Sequence, residues 1–368
     1  MQKYHFIFLI FSYLLSNVTV TLAESPAKTL TVVSWGGKYT DSQIAAYYKP
    51  FADKFGVAIQ ANTYNGGLGQ IRSQVKTHNI KWDVVDLSLA DAVKGCNDGL
   101  LEPIDLTSFP PSSNGISPLN DFYDITILTS CAAPLVVWST VVAYNETAFA
   151  KAKKKPNKIA DLFDIETFAG KRGFRKTPQV TFEWALMADG VPSTEVYNVL
   201  ATAEGVERVF TMLDKIKKQI IWWDTGAQAL QLLNNNEVVM TTIYNGWVAD
   251  AIVNNAKPYK IIWDGQLFDL DVLSIVKGTK QLDLAIEFIK FASDTQALAE
   301  QTRYIAYSPA RKSALKYLPT IAQLGYDIRP LLPMTPANFT NAIRYDFTWW
   351  AKHQEVLTDK FNAWLARN

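Results

Sequence analysis

Apolar and polar positions fall into alternating blocks between Thr29 and Asp98. Thr29 to Ser34 is β-branched and largely apolar, and predicts a strand. Ile44, Tyr47, Tyr48, Phe51 and Phe55 recur at helical spacing, with Pro50 expected to start or kink a turn. Val57 to Tyr64 predicts a second strand, Asn65-Gly66-Gly67 a turn, and Leu68 to Lys76 a helix. Trp82 to Leu87 predicts a third strand, followed by a helix over Asp91 to Asp98. This alternation favours an α/β fold with a parallel sheet covered by helices on both faces.

Ala133 to Tyr144 is a long Val-rich run, either a buried strand or a crossover between lobes. The charge run Lys151 to Lys155 marks a solvated loop. A second alternating set follows. Helices are expected over Phe182–Asp189, Gly205–Lys218 and Ala227–Asn234, and strands over Gln219–Trp223 and Glu237–Tyr244, the latter ending in an Asn245-Gly246 turn. Asp271 to Val276 predicts a strand. Leu282–Ala292 with Thr295–Arg303 predicts a helical hairpin, and Phe347–Leu365 a C-terminal helix. Two lobes with more than one crossover accommodate these elements. One takes residues 24–145 and about 273–310, the other about 146–272 and 311–368.

The first residues read as an export signal: Lys3, an apolar run from Phe6 to Leu15, and small residues ending at Ala23 before Glu24. The run is short for a bilayer span, which places the mature protein in the periplasm. Cleavage removes Lys3 and no acid, leaving 35 charges of each sign. That balance argues against nucleic acid or an anionic membrane as the main partner. Cys96 and Cys131, an even pair in an exported chain, point to a disulfide; two buried thiols or one catalytic thiol are the alternatives. Of the three His residues, His5 lies in the leader, so a His-rich metal site is not expected. No cofactor motif stands out.

The candidate chemistry sits at strand ends. Trp35-Gly36-Gly37 offers an indole face beside bare backbone amides; a core Trp before a tight turn is the equal alternative. Tyr64 opens a Gly-rich loop that lacks both the P-loop ending and the dinucleotide spacing. Asp86 and Ser88 end a buried strand and face either a ligand or a structural hydrogen bond. Trp223, Tyr244 and Asn245 place aromatic and amide groups at two further turns. Asp269 and Asp271 share one face if the strand extends through both, and two such carboxylates repel unless a cation sits near them. With two ordinary His residues in the mature chain, no Ser-His-Asp set is marked.

Taken together, Trp35 to Gly37, Trp82 to Leu87, Trp223 to Gln228, Asn245-Gly246, Ile262 to Gly265, Asp271, Tyr307-Ser308-Pro309 and Phe361 to Leu365 resemble the spermidine/putrescine-type periplasmic binding proteins of ABC transporters. The resemblance covers nearly the whole mature length. It implies a two-lobed type II fold closing by hinge motion, a monomer, ABC permease subunits as partners and no catalysis. It also implies ligand contacts at Trp35, Ser88, Tyr244 and Asp271. Asp269 departs from the pattern, falling where those binders carry a stacking Trp. Thr177 and Val180 fall near the positions of further acids, and Arg175 sits beside them. An acidic end at Asp269 and Asp271 facing a basic end at Arg175 implies a solute smaller than spermidine with a cationic nitrogen, such as an amino acid or ω-amino acid, with a diamine as the alternative. Two other functions share this fold: a thiaminase-like transferase with a Cys nucleophile, and a ferric-ion binder, for which Tyr304 and Tyr307 give thin support.

Overall fold

The computed structural model describes residues 28–123 and 129–367. The leader assigned to residues 1–23, with its cleavage point near Ala23, lies outside the described residues. The strands are β1 Thr29–Ser34, β2 Ala58–Thr63, β3 Val84–Ser88, β4 Ala133–Asn145, β5 Arg172–Arg175, β6 Ile220–Trp223, β7 Met240–Tyr244, β8 Tyr259–Ile275, β9 Ser308–Pro309 and β10 Ile343–Arg344. They form one sheet in the order β2-β1-β3-β8-β4-β7-β5-β6, with β9 on β4 and β10 on β8.

The sheet is mixed, not parallel as the alternation suggested. β1 is parallel to β2 and β3, and β5 is parallel to β6 and β7. Between these parallel sets lie β4 and β8, antiparallel to each other and to their neighbours β7 and β3. Their 13 and 17 residues correspond to lengths on the order of 40–55 Å, more than one lobe needs. β8 joins the first parallel set and β4 the second, and their own pairing links the two. Asp271 to Ile275 pairs with β3, while Tyr259 to Ile262 pairs with Val142 to Asn145 of β4, a stretch of which Val142 to Tyr144 also pair with β7. The strand expected to begin at Asp271 is thus the last part of a strand that begins at Tyr259.

Apolar side chains collect on either side of this crossing pair. Leu30, Val32, Tyr47, Phe51, Val84 and Phe288 belong to one grouping. Phe174, Phe182, Trp184, Leu213, Trp350 and Phe361 belong to another. The C-terminal helix Phe347–Leu365 locks onto the second through indole hydrogen bonds, Trp350 Nε1 donating to Glu183 (2.6 Å) and Trp364 Nε1 to Asp214 (2.7 Å).

Two local departures have clear causes. A helix beginning at Gly37 runs through a wide π turn at Ile44–Tyr48 into Lys49–Phe55. Pro50 cannot donate a backbone hydrogen bond, and it sits in the first turn after the wide turn. Asn245-Gly246 does not form a turn either. It opens the helix Asn245–Asn254, and the Asn245 side chain is enclosed.

Cys96 and Cys131 form the expected disulfide, tying the end of the helix Leu89–Asn97 to the approach to β4. The bond closes a loop with a sequence separation of 35. In the chain-entropy treatment that closure stabilises the fold by about 3–4 kcal/mol. The double substitution Cys96→Ser/Cys131→Ser should lower unfolding free energy by about that amount in denaturant titration. A loss well below ~1 kcal/mol would show that the loop is already ordered in the unfolded chain.

Candidate functional site

The floor of the cleft follows from strand alternation. On β8, Leu267, Asp269 and Asp271 are two residues apart and share a face. Trp138 of β4 lies opposite Asp269 in the ladder, and Thr140 lies opposite both Leu267 and Tyr244. These side chains face two adjoining cavities. The larger, about 730 Å³, is lined by Trp35, Gly36, Gly37, Ser88, Asp271 and Tyr307 among others. The smaller, about 490 Å³, is lined by Thr140, Arg175, Thr177, Gln179, Asp269 and residues of the C-terminal helix. Trp138 and Tyr244 line both. Their rings meet edge to face at 5.5 Å and form the shared wall.

The carboxyls are the unusual feature. Asp269 and Asp271 are each 7% exposed. Among the described residues neither has an ion pair with Lys or Arg. Asp271 accepts a hydrogen bond from Trp138 Nε1 at 3.2 Å, and Asp269 accepts one from the backbone of Leu270 at 2.8 Å. Burial pushes the Asp269 carboxyl up to about 7, against the opposing pull of the Leu270 N–H and Arg344. Asp271 is held well above the carboxylate range, first by burial and then by the charges of Asp86 and Asp269. Arg175, across the Trp138–Tyr244 wall from Asp271 and lining the same smaller cavity as Asp269, is exposed, and its guanidinium has no hydrogen-bond or ion-pair partner among the described residues.

Several residues singled out from sequence lie behind these walls and not in them. Asp86 is fully enclosed, with Gln43 Nε2 donating at 2.5 Å and Trp35 Nε1 at 3.1 Å. It orients the Trp35 indole that lines the larger cavity. Burial raises Asp86 to about 7. Tyr64 donates its hydroxyl to the Asp86 carbonyl and packs against Trp35 at 5.2 Å. Trp223 is buried against Tyr244 at 6.2 Å. Asn245 accepts from the Ser139 backbone at 3.0 Å and donates to the Ala306 and Leu331 carbonyls, pinning three segments together. Ser88 lines the cleft and also caps the helix Leu89–Asn97, accepting from the Asp91 backbone.

Two glycines are explained by close approach. A Cβ on Gly66 would stand 2.9 Å from the Trp35 ring, and one on Gly246 would stand 2.6 Å from the Tyr307 ring. Gly246 therefore gives Tyr307 its seat beside the cleft. Sequence reasoning missed Trp138 and Tyr39. Trp138 was concealed in an apolar run, although a lone indole in a Val-rich strand was the signal. Tyr39 lines the cleft 5.7 Å from Tyr307 and stands near both Asp86 and Asp271.

Chemically, the site offers aromatic faces, buried acids and one free guanidinium. Among the described residues no helix is long and apolar enough to cross a membrane. No group of three or more His, Cys, Asp or Glu among them is placed to hold a metal ion. The disulfide occupies both cysteines, which removes the thiol nucleophile of the transferase alternative.

The arrangement of two lobes joined by crossing strands around such a cleft is that of the type II periplasmic binding proteins. The model of the bacterial extracellular solute-binding protein family matches residues 46–324, and the chain belongs to that family. It is 38% identical over 345 residues to a gamma-aminobutyric acid (GABA)-binding protein of Pseudomonas aeruginosa, spanning 94% of this chain and 93% of the relative. A solved structure of a GABA receptor is 28% identical with a TM-score of 0.75, covering 93% of this chain and 98% of that one. A spermidine/putrescine ABC transporter substrate-binding protein from Streptococcus pneumoniae is 15% identical with a TM-score of 0.70, covering 92% of this chain and 100% of that one. The polyamine resemblance read from the sequence is therefore one of fold.

The raised acids give a stability signature. Folded Asp269 keeps a proton that the unfolded chain releases near pH 4. Its contribution to stability is present below the unfolded value and declines as pH rises from about 4 to about 7. In thermal melts of the ligand-free protein, Asp269→Asn should flatten that part of the pH profile. A profile identical to wild type would show that Asp269 is not desolvated in solution.

Proposed function

We propose that this protein captures a small ω-amino acid of the GABA type and presents it to the permease of an ABC transporter. The observation that carries the reading is an unpaired buried acid and an unpaired guanidinium on the two sides of one aromatic wall. Asp271 lines the larger cavity, Arg175 lines the smaller one together with Asp269, and neither acid has a basic ion-pair partner among the described residues. A ligand ammonium would compensate Asp271 and Asp269. A ligand carboxylate would pair with Arg175, whose planar fork suits bidentate recognition. Trp35, Trp138, Tyr244 and Tyr307 would enclose the methylenes and flank the ammonium. The names of the related GABA-binding proteins agree with this chemistry. Closure would work about β4 and β8, with residues 24–145 and about 273–310 on one side and about 146–272 and 311–368 on the other. The protein would act as a monomer in the periplasm after cleavage near Ala23.

Isothermal titration of the mature protein tests the charge assignment. Arg175→Gln should weaken GABA by about tenfold or more and leave putrescine no weaker, because only GABA carries the carboxylate. Asp271→Asn should weaken both by about tenfold or more. Equal losses for the two ligands in Arg175→Gln would overturn the role of Arg175. A preference of the wild type for putrescine over GABA would restore the polyamine reading.

Protonation gives a second test. A cation favours the ionised acids, so binding must expel the proton that Asp269 keeps up to about pH 7. GABA affinity should rise as pH increases from about 5 to about 8. Titrations in buffers of different ionisation enthalpy should show proton release. Proton uptake on binding would contradict the placement of the ammonium.

A further inference from the structure

The larger cavity exceeds what a four-carbon amino acid fills. Its volume of about 730 Å³ lies in the range that ordinarily encloses drug-sized ligands. Beyond Asp271 the lining includes Trp247, Val253, Tyr304, Ile305, Ile328 and Leu331. Trp247 and Tyr304 are 43% and 45% exposed, large aromatic side chains left open to solvent beside a binding cleft. Trp247 lies near Gly226, where an added Cβ would stand 3.4 Å from its ring.

The charges among these lining residues are paired within the protein. Lys38 bonds to Asp250, which also accepts from Asn254 Nδ2 at 2.7 Å. Arg303 makes two bonds to Glu300, at 2.7 and 3.2 Å. No free charge remains there to recognise an ionic group, whereas the buried acid at Asp271 still asks for a cation. The aromatic and aliphatic lining is continuous with that acid.

We propose that this apolar vestibule is a second subsite, taking an uncharged aromatic or aliphatic substituent carried on the ligand nitrogen. The preferred class is then the N-substituted ω-amino acids. Their secondary ammonium still meets Asp271, their carboxylate still reaches toward Arg175, and the substituent covers Trp247 and Tyr304. This inference rests on the ω-amino-acid reading above. A secondary ammonium retains two N–H donors, enough for a buried carboxylate.

The test compares GABA, N-benzyl-GABA and N-(4-carboxybenzyl)-GABA by isothermal titration against wild type, Trp247→Ala and Tyr304→Ala, with folding checked by circular dichroism. N-benzyl-GABA is expected to bind wild type about tenfold tighter than GABA, and the carboxylated analogue about fivefold weaker than N-benzyl-GABA. Each substitution, on a different segment, should cut the N-benzyl-GABA to GABA affinity ratio by about fivefold or more. If GABA binds and N-benzyl-GABA does not, the vestibule proposal is overturned while the ω-amino-acid reading stands. If neither binds, both are overturned. Unchanged affinity ratios in both folded variants overturn the vestibule as well.

Discussion

Desolvation of acid side chains on the crossing strands governs this molecule. A carboxylate taken out of water without a cation costs far more than a typical surface contact returns. Asp269 and Asp271 are both enclosed, and their partners are a backbone N–H and an indole N–H. Such donors reduce the penalty without removing it, so both carboxyls keep their protons to higher pH than solvated ones do. The protein thereby carries an unmet demand for positive charge at the place where its two halves meet. In the proposed reading an arriving ammonium would meet that demand, and the resulting differential affinity is what a receptor needs to shift between open and closed populations.

The residues behind the walls explain why the demand stays unmet until a ligand arrives. In the sequence Asp86, a charged residue at a strand end, could equally face a ligand or make a structural hydrogen bond. Its oxygens are held by Gln43 and Trp35. Its charge acts through space, raising Asp271 further, while its hydrogen bond fixes the indole that faces the cleft. Asn245 performs a comparable service by joining β4 to the segments around Ala306 and Leu331. Positioning a few contact residues within tenths of an ångström requires this kind of hydrogen-bonded support.

Much of the fold was legible because its local signals are strong. The β-branched opening at Thr29 and the aromatic C-terminal helix indicated element type and nearly correct bounds, and the Val-rich run at Ala133, open between strand and crossover, is a strand over nearly the expected residues. The mixed sheet was not legible, because alternation of strands and helices favours parallel pairing and says nothing of two long strands threading the same sheet in opposite directions. Asn245-Gly246 misled because that dipeptide ordinarily marks a turn; here the missing Cβ admits the Tyr307 ring. Period-two alternation put Asp269 and Asp271 on one face only on condition that the strand reached back past Asp271, which β8 does. For Trp138 the sequence offered only a lone indole in an apolar run, and the ladder places it opposite Asp269.

Between a diamine and an ω-amino acid, electrostatics decides more than size. In the proposed pose either ligand would set an ammonium against Asp271. Their other ends differ in sign, and that end would face the cavity that Arg175 lines together with the buried Asp269, a carboxyl pushed up to about 7. Tyr244 and Tyr345 lie close enough to Arg175 to feel its charge, so the guanidinium is part of this wall. A second ammonium brought there would meet the Arg175 charge, and lobe closure would exclude water and strengthen the repulsion. A carboxylate gains from the same exclusion. In the proposed reading one unpaired arginine beside the aromatic wall would supply both attraction for the zwitterion and rejection of the diamine, which is how specificity arises from a difference between two binding energies.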